Sequence, residues 1–244
     1  VFTEVRRGHV DYGLVPIENS TGGGISEALD AFRDARGEVS IYSEVAATIR
    51  HSLLSNSQPR EIKKIYSKPE VFAQCRRWIA TQYPQAELIP AASSSHAVRS
   101  VAELYETHPE AGAAAIGSKL AGELYGVKVL FSDIEDNPNN ITRFFVIARQ
   151  RAERSGDDKT TVMFATENAP GALAKVLSTF ADAGINLTHI DKRPSGRENW
   201  TYTFFIDAQG HRDDPIIAQT LRLLEHRVAE LHVLGSYPRA KRIL

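Results

Sequence analysis

From Arg149 to Lys159 the chain reads Arg-Gln-Arg-Ala-Glu-Arg-Ser-Gly-Asp-Asp-Lys, a polar run with no buried periodicity. Such a stretch predicts an exposed linker, so the chain must fold as two bodies rather than one. Beyond it come a strand (160–165), a helix (171–183), two strands (185–190 and 200–207), a helix (214–226) and a last strand (231–236). That is the β-α-β-β-α-β order of a ferredoxin-like unit. Gly184 closes its first helix, Ser195 to Asn199 joins its middle strands, and the short basic tail Arg239-Ala240-Lys241-Arg242 reads as a solvated end.

The first part alternates short strands and helices, which predicts a mostly parallel sheet or two small ones. A helix tail closed by Gly8 precedes a strand at 12–15, which delivers Pro16-Ile17-Glu18-Asn19-Ser20-Thr21-Gly22-Gly23-Gly24. Ile25, Ala28, Leu29 and Phe32 then recur at helical spacing. Free N–H groups and the helix dipole suit this turn to a carboxylate or phosphate. It reads equally well as a flexible connection whose Ser20 and Thr21 cap the helix. Residues 39–49 are strand-like, and a strand at 62–66 ends at Ser67-Lys68-Pro69, with Pro69 opening a helix that carries Val71, Phe72, Cys75, Trp78 and Ile79. Gln74 lies one turn into that helix, so Ser67 and Gln74 either face one ligand or serve as cap and solvated surface. Ser93-Ser94-Ser95 opens another helix, and one cap does not account for three serines. A strand (113–116), a helix (118–125, ended by Gly126) and a strand (127–130) follow. Asn140-Ile141-Thr142-Arg143-Phe144-Phe145-Val146 then sets an amide, a hydroxyl and a guanidinium at the mouth of a buried strand, where ligands sit in open α/β sheets. Asn-Xaa-Thr is also a glycosylation sequon.

The 244 residues carry 29 basic and 30 acidic side chains, a balance that gives no reason to expect nucleic acid or an anionic membrane as partner. The single cysteine, Cys75, leaves no disulfide framework and no Cys-rich zinc site, and fits a reducing compartment. No apolar run approaches the ~18 residues of a spanning helix. The sequence opens at Val1 with neither Met nor a leader, the expectation for a fragment.

Asp11 to Ser20, Tyr66-Ser67-Lys68-Pro69 with Gln74, the serines at 93–95, Ala115-Ile116-Gly117-Ser118 and Asn140 to Phe144 together resemble the prephenate dehydratases. Glu167-Asn168-Ala169-Pro170-Gly171-Ala172-Leu173 resembles the effector loop of the ACT regulatory domain that follows in that family. The resemblance implies an α/β fold: a two-lobed catalytic domain like a periplasmic binding protein, apparently lacking its first strand-helix unit, then a ferredoxin-like α+β ACT domain. The expected boundaries are 1–150 for the catalytic domain (lobes 1–50 plus 128–150, and 51–127), 151–159 for the linker, 160–237 for the ACT domain and 238–244 for the tail. The family's Glu-Ser-Arg-Pro effector motif stands here as Asp191-Lys192-Arg193-Pro194, which puts added charge and bulk beside the effector site.

What the resemblance implies is decarboxylating dehydration of prephenate to phenylpyruvate for L-phenylalanine biosynthesis, in the cytoplasm, with no metal or cofactor. Thr142 would assist departure of the hydroxyl and Arg143 would hold a carboxylate; Asn19, Ser20, Thr21, Ser67, Gln74 and Ser94 would orient the substrate in a crevice between the lobes. L-phenylalanine would bind at Asn168, Gly171, Ala172, Leu173 and Asp191, in a homodimer or homotetramer. Arogenate dehydratase, or an amino-acid sensor without turnover, are the alternatives.

Overall fold

The computed structural model describes residues 1–35, 37–195 and 201–244. It divides into two compact units, Val1–Thr48 with Ile141–Leu244, and Ile49–Asn140. In chain order the first unit begins with α1 (Phe2–Arg7), β1 (Tyr12–Asn19), β2 (Gly23–Gly24), α2 (Ser26–Ala35) and β3 (Ser40–Thr48). The second unit holds β4 (Ser52–Leu54), β5 (Lys64–Ser67), α3 (Pro69–Gln74), α4 (Arg76–Gln82), β6 (Glu87–Pro90), α5 (Ser94–Thr107), β7 (Ala113–Gly117), α6 (Lys119–Tyr125) and β8 (Val129–Phe131). The first unit then resumes with β9 (Ile141–Ala148), β10 (Asp158–Ala165), α7 (Ala172–Asp182), β11 (Leu187–Pro194), β12 (Tyr202–Gln209), α8 (Pro215–Glu225) and β13 (Glu230–Pro238).

Two sheets build the first unit. One runs β2-β1-β9-β3 with every neighbouring pair antiparallel, the other β11-β12-β10-β13, also antiparallel. The expected parallel arrangement is therefore absent from the first lobe, because the returning strand β9 inserts between β1 and β3 in the opposite direction. Ile17, Phe32, Ile41 and Phe145 from the first sheet and α2 share one core with Met163, Phe205 and Tyr237 from the second. Phe145 touches both Phe32 and Tyr237 edge-on, with ring centroids 6.0 and 5.3 Å away. Full burial of such a ring is worth about 2–3 kcal/mol. The other face of the second sheet, with Phe164, Ile206 and Ala208, packs under α7 and α8 through Val176, Phe180, Ile217 and Leu224. The even periodicity of β12 thus sends Phe205 to one core and Phe204 to the other.

In the second unit the sheet order is β6-β5-β7-β4-β8, parallel where β5 meets β6 and β7, antiparallel around β4. All five residues of β7 are buried because helices cover both faces. Pairing of β8 with β4 sets the lobe boundary at 140/141 rather than at 128. The single helix expected through residue 79 is interrupted at Cys75, whose φ and ψ are −115° and 17°. Asp136 explains the restart: its carboxylate accepts from the backbone N–H of Arg77 at 2.9 Å and of Trp78 at 3.2 Å, supplying an N-terminal cap from elsewhere in the chain. Burial pushes the Cys75 thiol up to about 12, so this side chain packs and does not react.

Two further expectations change. Asp158 and Lys159, read as linker, open β10 and are buried, the Lys159 ammonium lying 2.9 Å from a Glu44 carboxylate oxygen on β3. The tail is not merely solvated either. Thr48 donates to the Leu244 carbonyl at 2.8 Å and Leu244 to that of Ala46 at 2.9 Å, so the last residues cover the edge of β3. Among the described residues no helix is long and apolar enough to cross a membrane.

Candidate active site

The antiparallel register of β1 and β9 sets Asn19 directly opposite Thr142. The Asn19 side-chain oxygen accepts from the backbone N–H of Thr21 at 3.0 Å and of Gly22 at 2.9 Å, closing a turn at the end of β1. Gly23, at φ 77°, then lets the chain fold back as β2. With its oxygen so used, the Asn19 amide nitrogen points across the ladder and donates to Thr142 Oγ1 at 2.9 Å. Thr142 is nearly buried. Since its oxygen accepts from Asn19, its own proton remains available for donation, and no acceptor for it is found among the described residues. Ser20 ties the same strand ends together, its backbone N–H donating to the Ile141 carbonyl and its hydroxyl accepting from the Ile141 N–H. Thr21 is exposed at the tip of the turn.

Arg143 leaves β9 on the opposite side. Its guanidinium is ion-paired with Asp207 on β12, and lies 3.6 Å from Glu44 and 3.7 Å from Glu18. Burial opposes its charge, but the carboxylates of Asp207 and Glu44 outweigh burial and hold its pKa above the ordinary arginine value. The Asp207 carboxylate also accepts from Thr161 at 2.6 Å, and Thr161 is 2.7 Å from the Tyr237 hydroxyl. Arg143, expected as a carboxylate clamp, thus lies among the protein's own carboxylates. Adjacent residues of a strand point to opposite faces, and the fork is occupied by the protein's own acids.

In the second unit Ser67 is fully buried and its hydroxyl donates to the Ile116 carbonyl at 2.7 Å, which joins β5 to β7. Ser93, not Ser94, caps α5 by accepting from the His96 N–H at 3.0 Å, leaving Ser94 half-buried in the first turn. Gln74 accepts from Asn140 at 3.2 Å, and its oxygen lies 2.7 Å from His51 Nε2, which must carry a proton for that contact. His51 in turn donates its backbone N–H to Glu135, which also binds Arg50 at 2.6 Å. Burial alone would raise the Glu135 pKa, but the His51 N–H and the Arg50 guanidinium hold it below the ordinary 4.5. A depressed carboxylate contributes stability above its unfolded pKa and loses it as pH falls through the folded value. Stability to urea should accordingly drop on acidification below pH 4.5, and Glu135→Gln should flatten that part of the profile. An unchanged profile would rule out this cluster as the acid-sensitive element.

Asn168, Ala172 and Leu173 line a pocket of about 150 Å³ with Tyr202 and Phe204, on the helix-covered side of the second sheet. Gly171, at φ 77°, is the N-cap of α7 beside it. Lys192, the substituted motif position, extends over the Tyr202 ring at 4.8 Å. Within one chain Asp191 is not brought to these residues: it shares a face of β11 with His189 and Arg193, opposite the face used by Lys192.

Residues 1–152 match the prephenate dehydratase family and residues 160–225 the ACT domain. The chain belongs to the prephenate dehydratase family. It is 41% identical over 242 residues to a bifunctional chorismate mutase/prephenate dehydratase of Stutzerimonas stutzeri, covering 98% of this chain and 64% of that one. The chain thus spans less than two thirds of that relative. A prephenate dehydratase from Arthrobacter aurescens, solved in complex with L-Phe, superposes with a TM-score of 0.87 at 36% identity, over 99% of this chain and 80% of that one. The same fold also carries a different described activity. GqqA, described as a novel type of quorum quenching acylase, superposes with a TM-score of 0.85 at 26% identity, over 98% of this chain and 86% of that one.

The prephenate dehydratase motifs at 16–24 and 140–146 meet at the Asn19–Thr142 contact. His51, Glu135 and Asp207 carry polar contacts that the sequence reading did not single out. For His51 a signal existed, a lone histidine preceded by Arg50 at the entry to β4. For Asp207 there was none, since an acid near the end of a strand reads as solvated.

Proposed function

We propose that the chain is a prephenate dehydratase, converting prephenate to phenylpyruvate with loss of water and carbon dioxide. The observation that carries this reading is the Asn19–Thr142 hydrogen bond, which leaves the Thr142 proton as the donor at a nearly buried strand end. In the reaction the ring C–O bond and the ring-to-carboxylate C–C bond both break. The C–C electron pair enters the ring, which becomes aromatic, while the departing oxygen leaves with its own electron pair and takes a proton to become water. Aromatisation supplies the driving force, so the protein's task is to orient the substrate, assist the leaving hydroxyl and keep the site dry. Thr142 hydrogen-bonds the departing hydroxyl, and Asn19 fixes the threonine rotamer. Ser20 and Thr21 orient the substrate at the same strand end. No step requires a metal or an organic cofactor.

L-phenylalanine is the proposed feedback effector, bound by the ACT domain with its side chain at the Asn168, Ala172 and Leu173 pocket. The working form proposed is a cytoplasmic homodimer or larger homo-oligomer. Incubation with prephenate should produce phenylpyruvate, followed by its ultraviolet absorbance, and arogenate serves as the second substrate. Turnover of arogenate alone would reassign the substrate; turnover of neither would overturn the reading.

A further inference from the structure

β11 carries the Asp-Lys-Arg-Pro motif, and its three alternate residues on one face, His189, Asp191 and Arg193, each meet a different piece of chain around Asn19. His189 Nδ1 lies 3.3 Å from the carboxylate of Glu18, the residue before Asn19 on β1. Asp191 sits against Gly24 on β2 so closely that a Cβ at residue 24 would fall 1.9 Å from its carboxylate oxygen. A side chain at position 24 would displace the Asp191 carboxylate. Arg193 grips α2 with a two-pronged fork, at 3.0 and 2.7 Å, onto Asp30, and donates at 2.8 Å to Ser26. Arg33 from the same helix donates back to the Pro194 carbonyl at 2.8 Å. The Arg193 hydrogen bond, against a lesser opposing effect of burial, holds the Asp30 pKa below its ordinary value.

These contacts bracket the turn on both sides. Strand end, glycine turn and helix start, the three segments that determine where the Asn19 amide points, are each held by one strand of the ACT domain. A bidentate arginine–carboxylate pair fixes direction as well as distance, so a shift of β11 carries α2 with it. The Asn19 oxygen is held by the N–H groups of Thr21 and Gly22, four to five residues ahead of Ser26, so movement of α2 is passed to the amide that meets Thr142.

We propose that β11 is the clamp by which the ACT domain sets the Asn19 turn, with Arg193 and Asp30 as positioning residues and Arg193 making no contact with the effector. The proposal rests on phenylalanine being the effector of this chain. It assigns the arginine of the motif to coupling and leaves the pocket beside α7 to recognition, because the two lie on opposite faces of one sheet.

Arg193→Gln and Asp30→Asn separate coupling from binding in the full chain. Both side chains are part-exposed, so neither change strands a buried charge. Equilibrium dialysis with labelled L-phenylalanine should give a dissociation constant within about threefold of wild type, and kcat without effector should stay within about twofold. The ratio of uninhibited to fully inhibited rate should fall about tenfold, the size of a typical coupling. The double variant should be no worse than either single one, since both break the same contact. Inhibition equal to wild type in both single variants overturns the clamp and leaves the effector reading intact. Loss of phenylalanine binding in Arg193→Gln also overturns it, by making Arg193 a ligand. A wild-type chain that neither binds nor responds to phenylalanine overturns the clamp and the effector reading together.

Discussion

Thr142→Ala is expected to lower kcat for prephenate by about a hundredfold or more, while KM changes by no more than about threefold, since positioned proton donation contributes roughly 10²–10⁴. The fold should survive. Thr142 is paired with Asn19 on β1 and Ala47 on β3 near the start of β9, and backbone pairing on both sides does not depend on its side chain. Removal of one hydrogen-bonded hydroxyl and a methyl costs about 1–2 kcal/mol. Thr142→Ser keeps the acceptor for the Asn19 amide and the proton for donation, and loses only the methyl that fixes the rotamer. It should therefore retain most of the rate. Steady-state kinetics on both variants, with a thermal melt to confirm folding, separate a donor role from a packing role. An alanine variant that turns over at the wild-type rate would sink the assignment, and a serine variant as slow as alanine would point to packing.

The legible parts of the fold were those with strong local patterns. The helical spacing of Ile25, Ala28, Leu29 and Phe32 gave α2, and the β-α-β-β-α-β order gave the second half of the first unit almost strand for strand. The unread parts depend on residues distant in sequence. The break at Cys75 needs Asp136 as a cap, and Lys159 could not be distinguished from linker because its partner Glu44 lies 115 positions earlier. The direction of β9 relative to β1 and β3 is a matter of topology that composition does not encode.

At the site, strand alternation is itself informative. Thr142 and Arg143 are adjacent on a strand, and adjacent strand residues cannot serve one ligand from one face. The alternation alone sends their side chains to different faces. The same rule divides Asp191 and Arg193 from Lys192 on β11. What alternation cannot give is the destination of each face. For Ser67 that destination is the Ile116 carbonyl, a partner from another strand.

Asp207→Ala should destabilise the first unit by about 3 kcal/mol, because removal of one partner from a buried ion pair leaves the other charge uncompensated. For a chain of this size that corresponds to roughly 6–12 °C in Tm. Asp207 is 1% exposed and serves two donors, the Arg143 guanidinium and the Thr161 hydroxyl. With it gone, Arg143 retains Glu44 at 3.6 Å and the more exposed Glu18 at 3.7 Å, but Glu44 is shared with Lys159. Two buried cations would then divide one buried carboxylate, which places the cost nearer the lower end of the range for breaking such pairs. Asp207→Asn isolates the charge, since its amide oxygen still accepts from Thr161, and it should cost less than alanine. Pairing Asp207→Leu with Arg143→Met removes both charges into a site walled by Phe145 and Tyr237, so the double variant should recover much of the stability lost by Asp207→Leu alone. Urea denaturation of the four variants measures the series directly. An Asp207→Ala midpoint indistinguishable from wild type would mean that water reaches Arg143, and that the salt link between the two sheets contributes nothing to holding them together.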